Sequence, residues 1–360
     1  MDKSIRKRGF RDNMITYTMV VAAYVIMQVL LKAGSVSSVL QGQLVPICAY
    51  IVMAISLNLT VGILGELSLG HAGFMSVGAF TGVIAGVSLQ NLIPFDPLRL
   101  AVSIVIGALF AGAAGFLIGI PVLRLKGDYI AIVTLAFGEI IKNLLTCLYV
   151  GVDNAGLHIR FLGSAADLNL NDGGVIIVNG PIGLGGINRL SSFTAGVILI
   201  LVTLFIVLNL VNSRSGRAIM ALRDNRIAAE SIGIPVTKYK LTAFIISAAL
   251  AGAAGTLFGM NFTTTVASKF NFSTSILILV FVVLGGLGNI RGSIIAATVL
   301  TVLPEMLRQF SEYRMISYAV LLILVMLATN NATIKAYLAK IKGMVFRFVA
   351  KRGRAGEPGE

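Results

Sequence analysis

FTAGVILILVTLFIVLNLV (193–211) runs for 19 residues without an ionisable side chain. The hydrocarbon core of a bilayer takes about 20 apolar residues in a helix, so this stretch predicts a membrane span. Working outward in both directions, similar runs recur at 14–31, 43–62, 70–89, 100–120 and 129–150, and again at 241–260, 274–288, 293–308 and 315–329. The composition agrees: the chain is 57% hydrophobic and 12% charged, with mean hydropathy +0.92. Soluble domains carry about a quarter charged residues. The expectation is an all-α polytopic membrane protein of about ten transmembrane helices, the last three of them short enough to be tilted, broken or re-entrant.

A net charge of +14 would suit a nucleic-acid binder if it formed one face with base-reading groups. Instead the basic residues cluster at the ends of apolar runs. If all ten runs cross, 21 of the 29 Lys and Arg fall on one side, 7 on the other, and Lys142 inside a span. That bias follows the positive-inside rule and predicts both termini in the cytoplasm. The chain divides into a basic cytoplasmic N-terminus (1–13), a membrane domain (14–330) and a basic cytoplasmic tail (331–360). The apolar run 14–31 exceeds the 7–15 residues of a signal-peptide core, which predicts an uncleaved first span.

Two connections stand out. Residues 151–192 read as an external loop rich in Gly and Asn, punctuated by Pro181. Residues 212–240 read as a cytoplasmic loop with six basic residues, Asp224 and Glu230. Within the latter, Asp224 or Asn225 can cap a short helix, Ala228 and Ala229 favour it, and Gly233 before Pro235 stops it. Such a helix is what a peripheral partner could grip, or else an amphipathic linker lying on anionic lipid.

Small residues recur four apart on single helix faces: Gly78, Gly82 and Gly86; Gly107, Ala111, Gly115 and Gly119; Ser247, Ala251, Gly255 and Gly259. That pattern serves close helix packing in lipid. FAGAAGFLIGI (110–120) also echoes LAGAAGTLFGM (250–260) on spans expected to run in opposite directions, as in inverted repeats or by chance among small residues.

No catalytic constellation is present: no Walker lysine motif, HExxH, GxSxG or close carboxylate pair. GGLGNIRGS (285–293) lacks the GK[ST] ending of a phosphate loop and reads as a tight turn. Cys48 and Cys147, like His71 and His158, lack metal-ligand spacing. Ionisable residues inside spans are functional candidates by default. Glu139 and Lys142 are spaced to pair on one helix, so they serve either a transport path or a structural ion pair. His71 opens the third span, as a packing residue or a path residue.

Four segments carry a family resemblance: GELSLGHAGFMSVGAF (65–80), RLKGDYIAIVTLAFGEII (124–141), RSGRAIMALRDNRIAAESIGIPVTKYKLTAFIISAALAGAAGTLF (214–258) and VVLGGLGNIRGS (282–293). Together they resemble the inner-membrane permeases of branched-chain amino acid ABC importers, and RLKGDY is closer to the LivM-type subunit than to its LivH-type partner. The resemblance implies a bacterial inner-membrane permease for Leu, Ile and Val, working with a LivH-like permease, two cytoplasmic ATPases that bind the ATP, and an extracytoplasmic substrate-binding protein. It implies no cofactor of the chain's own. The 212–240 loop would supply the ATPase-coupling helix, with Ala228, Ala229, Glu230 and Gly233. Ala228, Ala229 and Gly233 match the importer pattern Glu-Ala-Ala-x-x-x-Gly, but Ile227 stands where that pattern has glutamate. The alternatives are a permease for urea, another amide or a simple sugar, and a stand-alone secondary transporter using Glu139, Lys142 and His71 as a proton relay.

Overall fold

In the computed structural model, the described residues are 3–306 apart from 35, 126, 154–155, 171–173 and 187–188, together with 320 and 323. Apart from residues 320 and 323, the predicted tenth span (315–329) lies outside this description, as do the C-terminal tail and the side chains of the first twelve residues. Residues 1–302 form one compact unit; the second, from Leu303 onward, contributes the last turn of α11 and residues 320 and 323.

The long helices are α1 (Lys3–Lys32), α2 (Ser38–Asn58), α3 (His71–Ser88), α4 (Asp96–Val122), α5 (Asp128–Thr146), α6 (Phe193–Asn212), α9 (Val236–Gly259), α10 (Phe272–Gly285) and α11 (Ile290–Met306). Two short helices, α7 (Arg214–Asp224) and α8 (Arg226–Ser231), join α6 to α9. Eight helices among the described residues are long and apolar enough to cross a membrane. Two of these eight gain length from their flanks. A π-helical turn, Leu59–Ile63, extends α2, and a 3-10 turn at Ala267–Lys269 precedes α10. At 17 residues, α11 sits at the lower limit of crossing length.

The loop 151–192 is a corrected expectation. Between α5 and α6 lies a four-stranded sheet of order β2-β1-β3-β4, all antiparallel: β1 (Leu148–Asp153), β2 (Gly156–Phe161), β3 (Val175–Asn179) and β4 (Gly183–Leu184). The chain is therefore helical in its membrane part and not all-α throughout. The fifth span also ends at Thr146 rather than 150, because Leu148–Val150 belongs to β1. Its short β-branched runs, YVGVD and VIIVN, are strand-forming, but the intervening glycines mask their alternation. The end of the bundle bearing this sheet is called the sheet end, and the opposite end, bearing α7 and α8, the loop end.

The core is α3, α4 and α9 packed against one another, with α2 on α9. Small residues permit it. A Cβ on Gly255 would overlap the Met75 carbonyl oxygen, and one on Gly252 would overlap the Ala111 methyl. The two echoing segments thus meet face to face, Ala111 against Gly252. Thr256 Oγ1 donates to the Gly78 carbonyl at 2.8 Å, adding a polar tie where the helices come closest. In lipid, packing and such hydrogen bonds stand in for the hydrophobic drive of water.

Candidate functional site: the loop-end helices and the polar seam behind them

Helix α8 has the caps its sequence predicts. Asn225 Oδ1 accepts from the Ala228 amide at 3.0 Å, satisfying one of the donors a helix start leaves open. At the other end Gly233 adopts φ +83°, a left-handed conformation that side chains with a Cβ adopt at a cost. The Gly233 amide donates to the Glu230 carbonyl (3.0 Å) and the Ile234 amide to the Ala229 carbonyl (3.1 Å), closing the turn into α9. Arg226 Nε pairs with Glu230 Oε1 at 3.0 Å along the helix.

Only one of its two alanines faces inward. Ala229 is buried, whereas Ala228 and Glu230 are exposed. Flanking them, Ile227 and Ile232 are each 77% exposed. Ile227 and Ile232 therefore leave an exposed apolar surface beside Ala228 at the loop end.

These helices are tied to the bundle by contacts that sequence gave no sign of. Arg223 Nη1, at the end of α7, donates to the Gly62 carbonyl in the π-helical turn at 2.9 Å. Its Nε and Nη2 hold Asp224 Oδ1 at 3.0 and 2.9 Å. Gly65 (φ +81°) leaves room for this arginine, since a Cβ there would stand 2.6 Å from Arg223 Cγ. Next to it, Lys240 at the start of α9 forms an ion pair with Glu66, their side chains 7% and 13% exposed. Asn58 completes the cluster: its Oδ1 accepts from the Gly288 amide (2.8 Å) and its Nδ2 donates to Ser293 Oγ (3.0 Å). The GGLGNIRGS segment is the tight turn expected, with Gly286 at φ +94° and Gly288 at φ +79°.

From this cluster a buried polar seam runs into the bundle. Thr60 Oγ1 donates to Ser247 Oγ (2.8 Å), which donates to the Ser56 carbonyl (2.5 Å). Ser56 Oγ donates to the Met53 carbonyl (2.9 Å) and meets His71 Nε2 at 2.8 Å. His71 Nδ1 is left without a partner. His71 is 1% exposed. The α3 start it occupies is stabilised from neighbouring helices, with Ser275 Oγ accepting from the Ala72 amide (3.0 Å) and Thr134 Oγ1 from the Leu69 amide (3.1 Å).

Glu139 and Lys142 do pair with each other on α5. Glu139 Oε1 also accepts from the Phe272 amide (3.3 Å) at the start of α10, where a negative charge offsets the helix dipole. His71 engages Ser56 instead, and among the described residues no hydrogen bond joins it to the pair. The three candidates do not form one relay in this conformation.

A family model for the "branched-chain amino acid transport system / permease component" matches residues 39–329. The chain is 37% identical over 290 residues to the high-affinity branched-chain amino acid transport system permease protein LivM of Escherichia coli K12, covering 77% of this chain. It spans 66% of the length of that relative. A probable LivM permease of Methanocaldococcus jannaschii is 25% identical over 280 residues, covering 68% of this chain and 74% of its own. The fructose import permease protein FruG of Bifidobacterium longum is 30% identical over 125 residues, covering 33% of this chain and 37% of its own. No solved structure matches.

Proposed function

We propose that this chain, which belongs to the family of branched-chain amino acid transport permease components, is the LivM-type membrane subunit of an ATP-driven importer of Leu, Ile and Val. It sits in the cytoplasmic membrane of a bacterium with its loop end in the cytoplasm. A LivH-like permease completes the membrane part, two ATPase subunits bind and hydrolyse ATP, and an extracytoplasmic binding protein delivers the amino acid. The fructose permease covers too little of the chain to favour a sugar.

The observation that carries this reading is the capped helix α8, with Ile227 and Ile232 exposed and its neighbours anchored in the bundle. A stand-alone carrier has no use for such a docking element. ATPase motion at α8 would be conveyed by two links: Arg223 to the π-helical turn of α2, and the Lys240–Glu66 pair to the connector before α3. Both helices end at the polar seam, so a displacement at the loop end reaches the bundle interior without passing through fluid side chains.

The test uses the full chain assembled with the partner permease and ATPases. Fully burying an isoleucine contributes about 1.5–3 kcal/mol, so Ile227→Asp should weaken ATPase association by about tenfold to a hundredfold. Glu230→Lys should cost far less, because exposed ion pairs contribute about 0–1 kcal/mol. Equal affinities for Ile227→Asp and the unaltered chain, measured by titrating ATPase onto the reconstituted permease pair, would remove α8 from the interface.

A further inference from the structure

Helix α5 carries charge at a depth where the other spans carry none. Glu139 lies 11 positions after Asp128 and 7 before Thr146, further from a helix end than any other charged residue of the eight spans. At 1.5 Å per residue that is about 16 Å from the loop end of α5 and about 10 Å from its sheet end. Its ion pair with Lys142 is not enclosed, the two side chains being 36% and 22% exposed. The Lys240–Glu66 pair, by contrast, is packed inside the bundle. Glu139 spends one oxygen on Lys142 and the other on the Phe272 amide. Lys142 is less well satisfied: an ammonium offers three protons, and the described residues accept one of them. Charged groups within a membrane are costly and face protein or water instead of hydrocarbon.

The pose of the pair also speaks against lipid. Lys142 stands one turn from the sheet end of α5, near enough to snorkel to a headgroup, yet it turns back to Glu139, deeper in the span. The same side of α5 continues as exposed residues three and four apart: Tyr129, Ile132, Ala136, Ile140 and Asn143. The outer faces of the other spans differ. Helix α4 presents Val105, Leu109, Phe110 and Leu117, and α1 presents Val21, Val25, Ile26 and Val29, apolar surfaces that a bilayer covers. On α5, Ala136 leaves space for another backbone, and the exposed Asn143 amide has no partner among the described residues. Helices that associate in lipid use small residues and interhelical hydrogen bonds of this kind.

We infer that this face of α5 is where the second permease subunit of the importer packs, with a membrane helix that brings a hydroxyl, side-chain carbonyl or carboxylate to the unmatched protons of Lys142. The inference rests on the reading of this chain as one half of a two-subunit membrane unit. The ATPases and the binding protein meet the chain at its two ends, and neither reaches a pair about 10 Å inside the span. A partner that itself crosses the membrane can cover it.

The test uses the full chain co-expressed with the partner permease and the ATPases. Photoreactive benzoylphenylalanine replaces Ile140 or, as a control, Leu109, which are 55% and 67% exposed. Irradiation in the membrane should join position 140 to the partner permease and position 109 to lipid. In a second measurement, Ala136→Trp should lower recovery of the partner permease with the tagged chain by about tenfold through overpacking, while Leu109→Trp leaves recovery unchanged. Adducts of position 140 with lipid alone, in a complex that still contains the partner permease, would overturn the assignment and leave the importer reading standing. So would an adduct with a second copy of this chain or with another segment of the same chain. If no second permease co-purifies with the unaltered chain, the two-subunit reading fails and the inference falls with it.

Discussion

Gly233 is the residue on which the loop end turns. Its φ of +83° lies in the left-handed region, and nothing stands within 4 Å of where a Cβ would project. Any penalty for a side chain there is therefore backbone strain alone, about 1–2 kcal/mol for most residues, larger for a β-branched one and smaller for asparagine. Gly233→Val should give a permease that inserts, folds and binds its partner permease but transports poorly, with ATP hydrolysis no longer dependent on the loaded binding protein. Gly233→Asn should retain most uptake. Wild-type uptake by Gly233→Val in reconstituted vesicles would show that this exit geometry is irrelevant to coupling. Glu66 and Lys240 make a second residue-scale case. Breaking a buried pair by removing one partner costs about 3–5 kcal/mol, whereas replacing both with apolar groups is often neutral. Lys240→Met and Glu66→Met should each lower the midpoint of thermal unfolding in detergent, and the double variant should recover most of the loss. Additive losses in the double variant would mean that the two charges act separately.

At the scale of elements, helix contacts depend on what faces each glycine and not on the glycine itself. Gly252 meets Ala111 at the α4–α9 crossing, whereas Gly42, near the start of α2, has nothing within 4 Å of its missing Cβ. Gly252→Ala should therefore destabilise the bundle by about 1–3 kcal/mol through overpacking. Gly42→Ala should stabilise it slightly, by about 0.5–1 kcal/mol, since alanine is the better helix former. Thermal unfolding of the two variants side by side checks the contrast, and a loss of equal size in both would refute it. The same scale shows where spacing was informative and where it was not. The four-residue recurrence in α3, α4 and α9 announced close packing, because a helix places such residues on one face whatever surrounds it. It could not say that FAGAAG would lie on LAGAAG, which depends on the direction and depth at which two distant helices cross.

For the whole molecule, the charge count predicts the loop end in the cytoplasm and the sheet end outside. Ala228 is exposed in α8 and Ala166 is exposed beside the sheet, so single cysteines there report the two ends. Cys147 is exposed and must first be replaced, while Cys48 is buried. From outside intact cells, an impermeant thiol reagent should label Ala166→Cys and spare Ala228→Cys. The reverse pattern would invert the topology, and labelling of both would break it.

The sequence by itself determined that the chain is a bundle of membrane helices, because in lipid each segment must satisfy its own backbone hydrogen bonds, and length and hydropathy are local properties. It narrowed the start of α8 to a cap at Asp224 or Asn225 and placed its stop at Gly233 for the same reason, since such groups act within four residues of their partners; the structure chose Asn225. The Glu139–Lys142 pair, three residues apart on one helix, was equally visible. Only the tertiary structure decided which polar groups are neighbours. Arg223 reaches Gly62 across 161 positions and Lys240 reaches Glu66 across 174. Nothing local marks these partners: the buried Lys240 demands some counterpart without specifying which. His71 went the same way: its position at the start of α3 was legible, but its partner Ser56, 15 positions back in α2, was not.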